Sequence, residues 1–167
     1  MDEHSYGWQF LQESTESVNQ GNNLSKKRRT PIPDTWMLLD NQSTADIFYN
    51  KKLLTNVRKH HKHLKIHCNA GVATTNMVGE LRGYGTVWYF SKGIANILSL
   101  SRVVAKGHHV TYDSQNGNEF TLTKSDGKTS CTSHVFKQSE RGLYFMDTTD
   151  TKNDVTLVNT VDDNRNQ

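Results

Sequence analysis

From Trp36 onward, apolar and polar residues alternate in short stretches. "HVTYDS" (109–114) and "EFTLTKS" (119–125) carry the period of two of a half-buried strand. The same reading predicts strands near 36–40, 64–69, 72–79, 84–90, 94–98, 108–113, 118–123, 133–137 and 143–146. "SQNGNE" predicts an Asn-Gly hairpin and "KSDGKT" an Asp-Gly hairpin. A helical spacing is confined to 51–59, "KKLLTNVRK", and 99–106, "SLSRVVAK". Many short strands with frequent turn signals predict a mainly β domain, a barrel or small sandwich with one or two short helices.

The pattern also sets the limits of that domain. Residues 1–35 read as a disordered linker, in which "ESTESVNQGNNLSKKRRTPIPD" has almost no apolar content and no period. Pro31 and Pro33 then hold the chain extended into the first strand. The β pattern runs over 36–148, and 149–167 reads as a polar acidic tail in which "VTLV" is a candidate edge strand.

Composition narrows the class. Only 34% of the residues are hydrophobic, so the core must be concentrated in part of the chain. Cys68 and Cys131 are too few for a disulfide framework and fit a reducing compartment. The longest apolar runs are far too short to span a bilayer, and "MDEHSYGWQF" lacks the basic and apolar regions of a signal peptide. The expectation is a soluble intracellular protein, cytoplasmic, with "KKRR" (26–29) as a candidate nuclear-import or nucleic-acid patch.

Charge is distributed unevenly. Residues 36–146 carry fourteen bases and seven acids, net +7, whereas 1–35 and 147–167 are net −1 and −3. Within the middle, 51–67 ("KKLLTNVRKHHKHLKIH") holds six Lys/Arg and no acid, which suits either a solvated basic face or contact with nucleic acid.

One carboxylate stands out. "WMLLDNQSTADIF" (36–48) runs from an apolar strand into Asp40 and then into Asn41, Gln42, Ser43 and Thr44, whose side chains can bond a turn. Such a carboxylate is held by the scaffold yet faces a cleft, as acid–base chemistry needs. An Asx-turn at a strand end is the structural alternative. Asp46, beyond the turn, reads as structural.

The same stretch resembles the start of the protease segment of copia-type retrotransposon Pol polyproteins: a Trp, apolar residues, then Asp-Ser-Gly and small hydroxyl residues. The resemblance continues in order through "GELRGYGTVWY" (79–89), "IANILSLSRVVAKGHHVTYD" (94–113), "GNEFTLTKSDGK" (117–128) and "GLYFMDT" (142–148). It implies a retropepsin-like closed β-barrel that supplies one catalytic aspartate, Asp40, per chain. Two chains would form a homodimer whose carboxylates share a proton, because like charges at contact distance cannot both ionise cheaply. The implied substrate is the element's own polyprotein, and no cofactor or metal is implied. Ile97, Leu98 and Ser99 match the loop that supports the catalytic turn.

The chain departs from the family pattern beside Asp40. Asn41 stands where a hydroxyl residue normally locks the two catalytic loops, and Gln42 where glycine permits a tight bend. If the Gln42 side chain swings aside, an aspartic endopeptidase remains. If it fills the space, the domain is an inactive β-barrel serving assembly or nucleic-acid binding.

Other motifs carry less. His60, His61, His63, His67 and Cys68 resemble metal ligands, but "HLKIHCNAG" reads as a strand, which puts His67 and Cys68 on opposite faces. No Gly-x-Ser-x-Gly elbow is present. "GELRGYG" precedes a strand and not a helix, so it is a hairpin and a candidate flap over the cleft.

Overall fold

The computed structural model describes residues 30–68, 71–125, 130–150 and 155–158. The first 29 residues of the expected linker, the tip of the Asp-Gly hairpin and most of the tail lie outside the described residues. Eleven strands and one short helix follow in order: β1 (Trp36–Asp40), β2 (Ile47–Phe48), β3 (Leu54–Cys68), β4 (Gly71–Leu81), β5 (Gly85–Tyr89), β6 (Asn96–Ser99), α1 (Leu100–Ala105), β7 (His109–Asp113), β8 (Glu119–Ser125), β9 (Ser130–Gln138), β10 (Tyr144–Asp147) and β11 (Val155–Val158).

Among the described residues these strands join one sheet in the order β3-β4-β5-β2-β6-β1-β10-β9-β8-β7, with β11 pairing the first residues of β9, Ser130 to Ser133, as expected of "VTLV". Two pairings are parallel, β1 with β6 and β2 with β5. These strands form the centre. Met37, Leu38 and Leu39 are all buried, as are all four residues of β6. Leu38 and Ile97 pack with Ile32 and Ala95 on one side, while Met37, Leu39 and Leu98 join the main core on the other. Burial on both faces is why β1 is a continuous apolar run and does not alternate.

The main core draws on both halves of the sheet. Leu54 of β3 and Leu122 of β8 belong to the same cluster, together with Phe48, Val103 and Phe136. The sheet therefore curls around a shared interior, but among the described residues no pairing joins β3 to β7. The expected closed barrel is an open sheet. Its two ends are unsuited to pairing: Lys59, Lys62 and Lys65 are exposed along β3, and β7 is exposed at four of its five residues.

The predicted helix over 51–59 is not formed. A 3-10 turn covers Lys51–Leu53, capped by the Asn50 side chain, and β3 starts at Leu54. The helix-like spacing of Leu54 and Val57 has another origin. Asn56 sits at φ +48°, and the register steps from Thr55 opposite Glu80 to Arg58 opposite Val78, so β3 holds one extra residue there. That bulge lets Leu54 and Val57, three apart, both touch the space beside Gly79, where an added Cβ would lie 3.0–3.2 Å from their side chains. The other predicted helix is α1, whose cap is Ser99.

Candidate functional site

Asp40 ends β1 directly opposite Ser99, the last residue of β6. A parallel pair brings the turn after β1 and the start of α1 to the same end of the sheet. The Ser99 hydroxyl, fully buried, donates to the Ser43 carbonyl at 2.6 Å and accepts the Arg102 N–H at 3.4 Å. Arg102 Nε donates to the Thr44 carbonyl at 3.0 Å. The Ser43 hydroxyl donates to the Ala45 carbonyl at 2.7 Å. The turn is thus bonded to the start of the helix through Ser43, Thr44 and Ser99.

Asp46 completes the lock. It is only 4% exposed. Its Oδ1 accepts the Ser99 N–H at 2.8 Å and its Oδ2 accepts the Tyr84 hydroxyl at 2.9 Å. Lys106 Nζ lies 3.8 Å from Oδ2, stands 3.8 Å over the Tyr84 ring and donates to the Thr86 carbonyl at 3.1 Å. Burial pushes the Asp46 carboxyl above its ordinary value, against the pull of Ser99, Tyr84, Lys106 and Arg102. Burial lowers the Lys106 ammonium, against the pull of Asp46. In both partners desolvation outweighs their mutual attraction, as a 3.8 Å separation permits.

Asp40 is held differently. Its Oδ1 accepts the Gln42 N–H at 2.8 Å. Its Oδ2 is buried and has no hydrogen-bond partner. Burial raises the carboxyl above its ordinary value, and the N–H groups of Gln42 and Ser43 offset only part of that. The result is a carboxyl fixed by one oxygen, with the other free and a proton easier to hold than on a solvated aspartate.

The chain matches no family model, no curated protein and no solved structure.

The predicted residues separate into three groups. Asp40, Ser43 and Ser99 come together in one bonded unit. Asn41, Gln42 and Thr44 have exposed side chains. Ile97 and Leu98 are buried on opposite sides of the sheet, in two different core clusters. Positive φ outside glycine is confined, among the described residues, to Asn56 and Asn118, so Gln42 makes its bend without the left-handed backbone that glycine would serve.

Sequence reasoning missed Asn96. This residue is fully buried. Its Oδ1 accepts the N–H groups of Tyr49 and Asn50 at 3.2 and 3.0 Å, and its Nδ2 donates to the carbonyls of Asp34 and Trp36, both at 2.9 Å. One amide ties the start of β1 to the end of β2, on either side of the Asp40 turn. The available signal was an amide inside an apolar strand, "ANILS". Tyr84, Arg102 and Lys106 were missed as well, because no local pattern links them to residues 43–46.

The expected flap is also placed differently. The β4–β5 turn, with Tyr84 bonded to Asp46, closes against the protein's own interior. The projecting ribbon is β3–β4, since β5 pairs with β4 only over Met77–Leu81. Ile66 of this ribbon is buried against Ala45 and Ile47, immediately beyond the Asp40 turn.

Proposed function

We propose that this chain is the aspartic protease segment of a copia-type retroelement Pol polyprotein, a retropepsin-like domain that cleaves the element's own polyprotein as a homodimer. The observation that carries the reading is Asp40 Oδ2: a buried carboxylate oxygen without a partner, at the end of a central strand. Orphaned buried acceptors are rare and costly, and a proton on this carboxyl, which the aspartic mechanism requires of one member of its pair, lowers the cost. In the paired site one carboxylate takes a proton from water as its oxygen attacks the scissile carbonyl. The other, protonated, donates to the carbonyl oxygen. Collapse of the tetrahedral intermediate breaks the C–N bond, and a proton passes to the leaving nitrogen. Ser99, Ser43 and Asp46 hold the turn rigid around Asp40, and the β3–β4 ribbon is the covering arm. The reading places the protein in the cytoplasm, where such polyproteins are made. Among the described residues no helix is long and apolar enough to cross a membrane.

A second reading, a β domain without chemistry, rests on one observation. The exposed side chains of Asn41 and Gln42 stand beside Asp40, where a second chain's turn would approach. One assay separates the two. The protein is incubated at mildly acidic pH with a polypeptide spanning its own polyprotein junctions, alongside Asp40→Asn. Cleavage by the wild type alone supports the protease. Equal cleavage by both, or none by either at concentrations where the protein is dimeric, overturns it.

A further inference from the structure

The β3–β4 ribbon has a second property that the protease reading does not use. From Lys51 to Gly79 the chain contains no Asp or Glu, but it contains six Lys/Arg and four His. The nearest acid, Glu80, lies at the ribbon's base and pairs with Arg58 at 2.8 Å. Halfway along, the pairing is interrupted. Lys59 faces Met77 and Leu64 faces Thr75, so His60, His61, Lys62 and His63 together oppose the single residue Asn76. An insertion of this size pushes side chains off the strand. His61, Lys62 and His63 are exposed, while His60 is half-buried, its ring tilted against that of His61 at 4.2 Å and meeting the Trp88 ring edge-on at 5.3 Å.

The protruding segment borders a groove of about 580 Å3. Its walls include His63, Thr74, Asn76, Tyr89, Phe90 and Lys92. None of residues 40–46 lines it, so the groove is separate from the Asp40 site. Lys59 and Lys62 stand opposite Met77 and Asn76, which line the groove, and Lys92 supplies a base from its far side. The groove is thus lined by two half-buried aromatic residues, an amide, hydroxyls and Lys92, with Lys59 and Lys62 on the neighbouring strand. Its size falls within the range of small-ligand sites, about 300–1,000 Å3.

We infer that this groove and the basic outer edge of β3 form a binding site for single-stranded nucleic acid. Phosphates would lie along Lys59, Lys62 and Lys92, with a base seated against Tyr89, which shares a face with Met77 and Lys59 across the paired strands. A polyanion meets the run of bases without meeting an acid. An aromatic wall beside the cations gives a base somewhere to stack. A duplex keeps its bases stacked away from an aromatic wall, whereas a single strand can present an unstacked base to it, which favours the single-stranded form.

The test is fluorescence anisotropy of a labelled 12-residue oligouridylate with the full chain over a range of salt. Two charge-reversal pairs at exposed positions are compared. One is Lys59→Glu with Lys62→Glu. The control is Arg82→Glu with Lys137→Glu, which changes net charge equally outside the groove. The inference expects salt-dependent binding by the wild type, weakened about tenfold or more by the first pair and less than threefold by the control, with the salt slope falling by about 1.4 when two phosphate contacts are lost. Circular dichroism verifies that both pairs are folded. Absence of binding at low salt overturns the inference. So does equal weakening by both pairs, which would reduce it to net charge, or equal competition by polyglutamate or anionic vesicles of matched charge. Because the readout does not involve cleavage, it stands or falls independently of the protease reading.

Discussion

Replacing Asn96 with alanine should destabilise the fold by about 4 kcal/mol. The side chain is fully buried and makes four hydrogen bonds, two as acceptor and two as donor, all to backbone groups. Alanine leaves two N–H and two C=O groups unpaired. Each costs about 1–3 kcal/mol when water is excluded. Asp34 is exposed and Tyr49 and Asn50 are half-buried, so water regains part of the loss and about 1 kcal/mol per group is the appropriate scale. Against a typical domain stability of about 5–15 kcal/mol, this approaches unfolding. Asn96→Asp sharpens the test. Its carboxylate can still accept from Tyr49 and Asn50 but meets the carbonyls of Asp34 and Trp36 where an amide donated. Ionisation is then disfavoured in the folded chain, and the folded value rises above the unfolded one. The associated stability is present in acid and lost as pH rises through the raised value, so Asn96→Asp should lie closest to wild type near pH 4 and furthest at pH 7. Urea denaturation at both pH values measures all of this. A loss below about 1 kcal/mol for Asn96→Ala, or a pH-independent difference for Asn96→Asp, would refute the claim that this amide clamps β1 to β2.

Other consequences concern the turn itself. Asp46→Ala removes the acceptor of the Ser99 N–H and the Tyr84 hydroxyl and should cost about 2–4 kcal/mol, whereas Asp46→Asn, which keeps an acceptor for Ser99, should lose less than half as much by urea denaturation. Asp40→Asn should gain stability relative to wild type between about pH 3 and pH 7. The raised Asp40 carboxyl makes ionisation unfavourable in the folded chain, so the wild type loses that contribution as pH rises and the variant does not. Parallel thermal melts showing a constant gap would contradict it. If the protease reading holds, Asn41→Ser combined with Gln42→Gly should raise acid-dependent cleavage, because it clears space beside Asp40 where that reading brings the second chain's turn. The free chain should lose about 0.5–1 kcal/mol through the added glycine, since Gln42 needs no left-handed backbone. Unchanged or lower cleavage would show that Asp-Asn-Gln is a working variant.

Much of the β framework was legible because it is written locally. β1, α1 and the Asn-Gly hairpin follow from an apolar run, a serine cap and a turn dipeptide. What sequence could not display was long-range. The bulges at Asn56 and at His60–His63 turn an expected helix into a bent strand, and they come from how β3 must fit β4 and Gly79. Asp40 was found because its neighbours announce a turn. Its orphaned Oδ2 was not, since burial depends on strands distant in the chain. Asp46 was read as structural, and the structure gives it buried bonds to Ser99 and Tyr84. The partners themselves lie 38 to 53 residues away and leave no local trace. Closure of the sheet was misjudged because strand count says nothing about whether the end strands meet.

The pairing of two Asp40 carboxylates is tested most directly by subunit mixing. Wild-type protein is combined with increasing Asp40→Asn at constant total concentration, allowed to exchange, and assayed for polyprotein cleavage at mildly acidic pH. If each site needs an aspartate from both chains, activity follows the square of the wild-type fraction and an equal mixture retains about a quarter. A linear decline, with about half retained, would mean that each chain carries a complete site, and the paired-carboxylate account would be wrong.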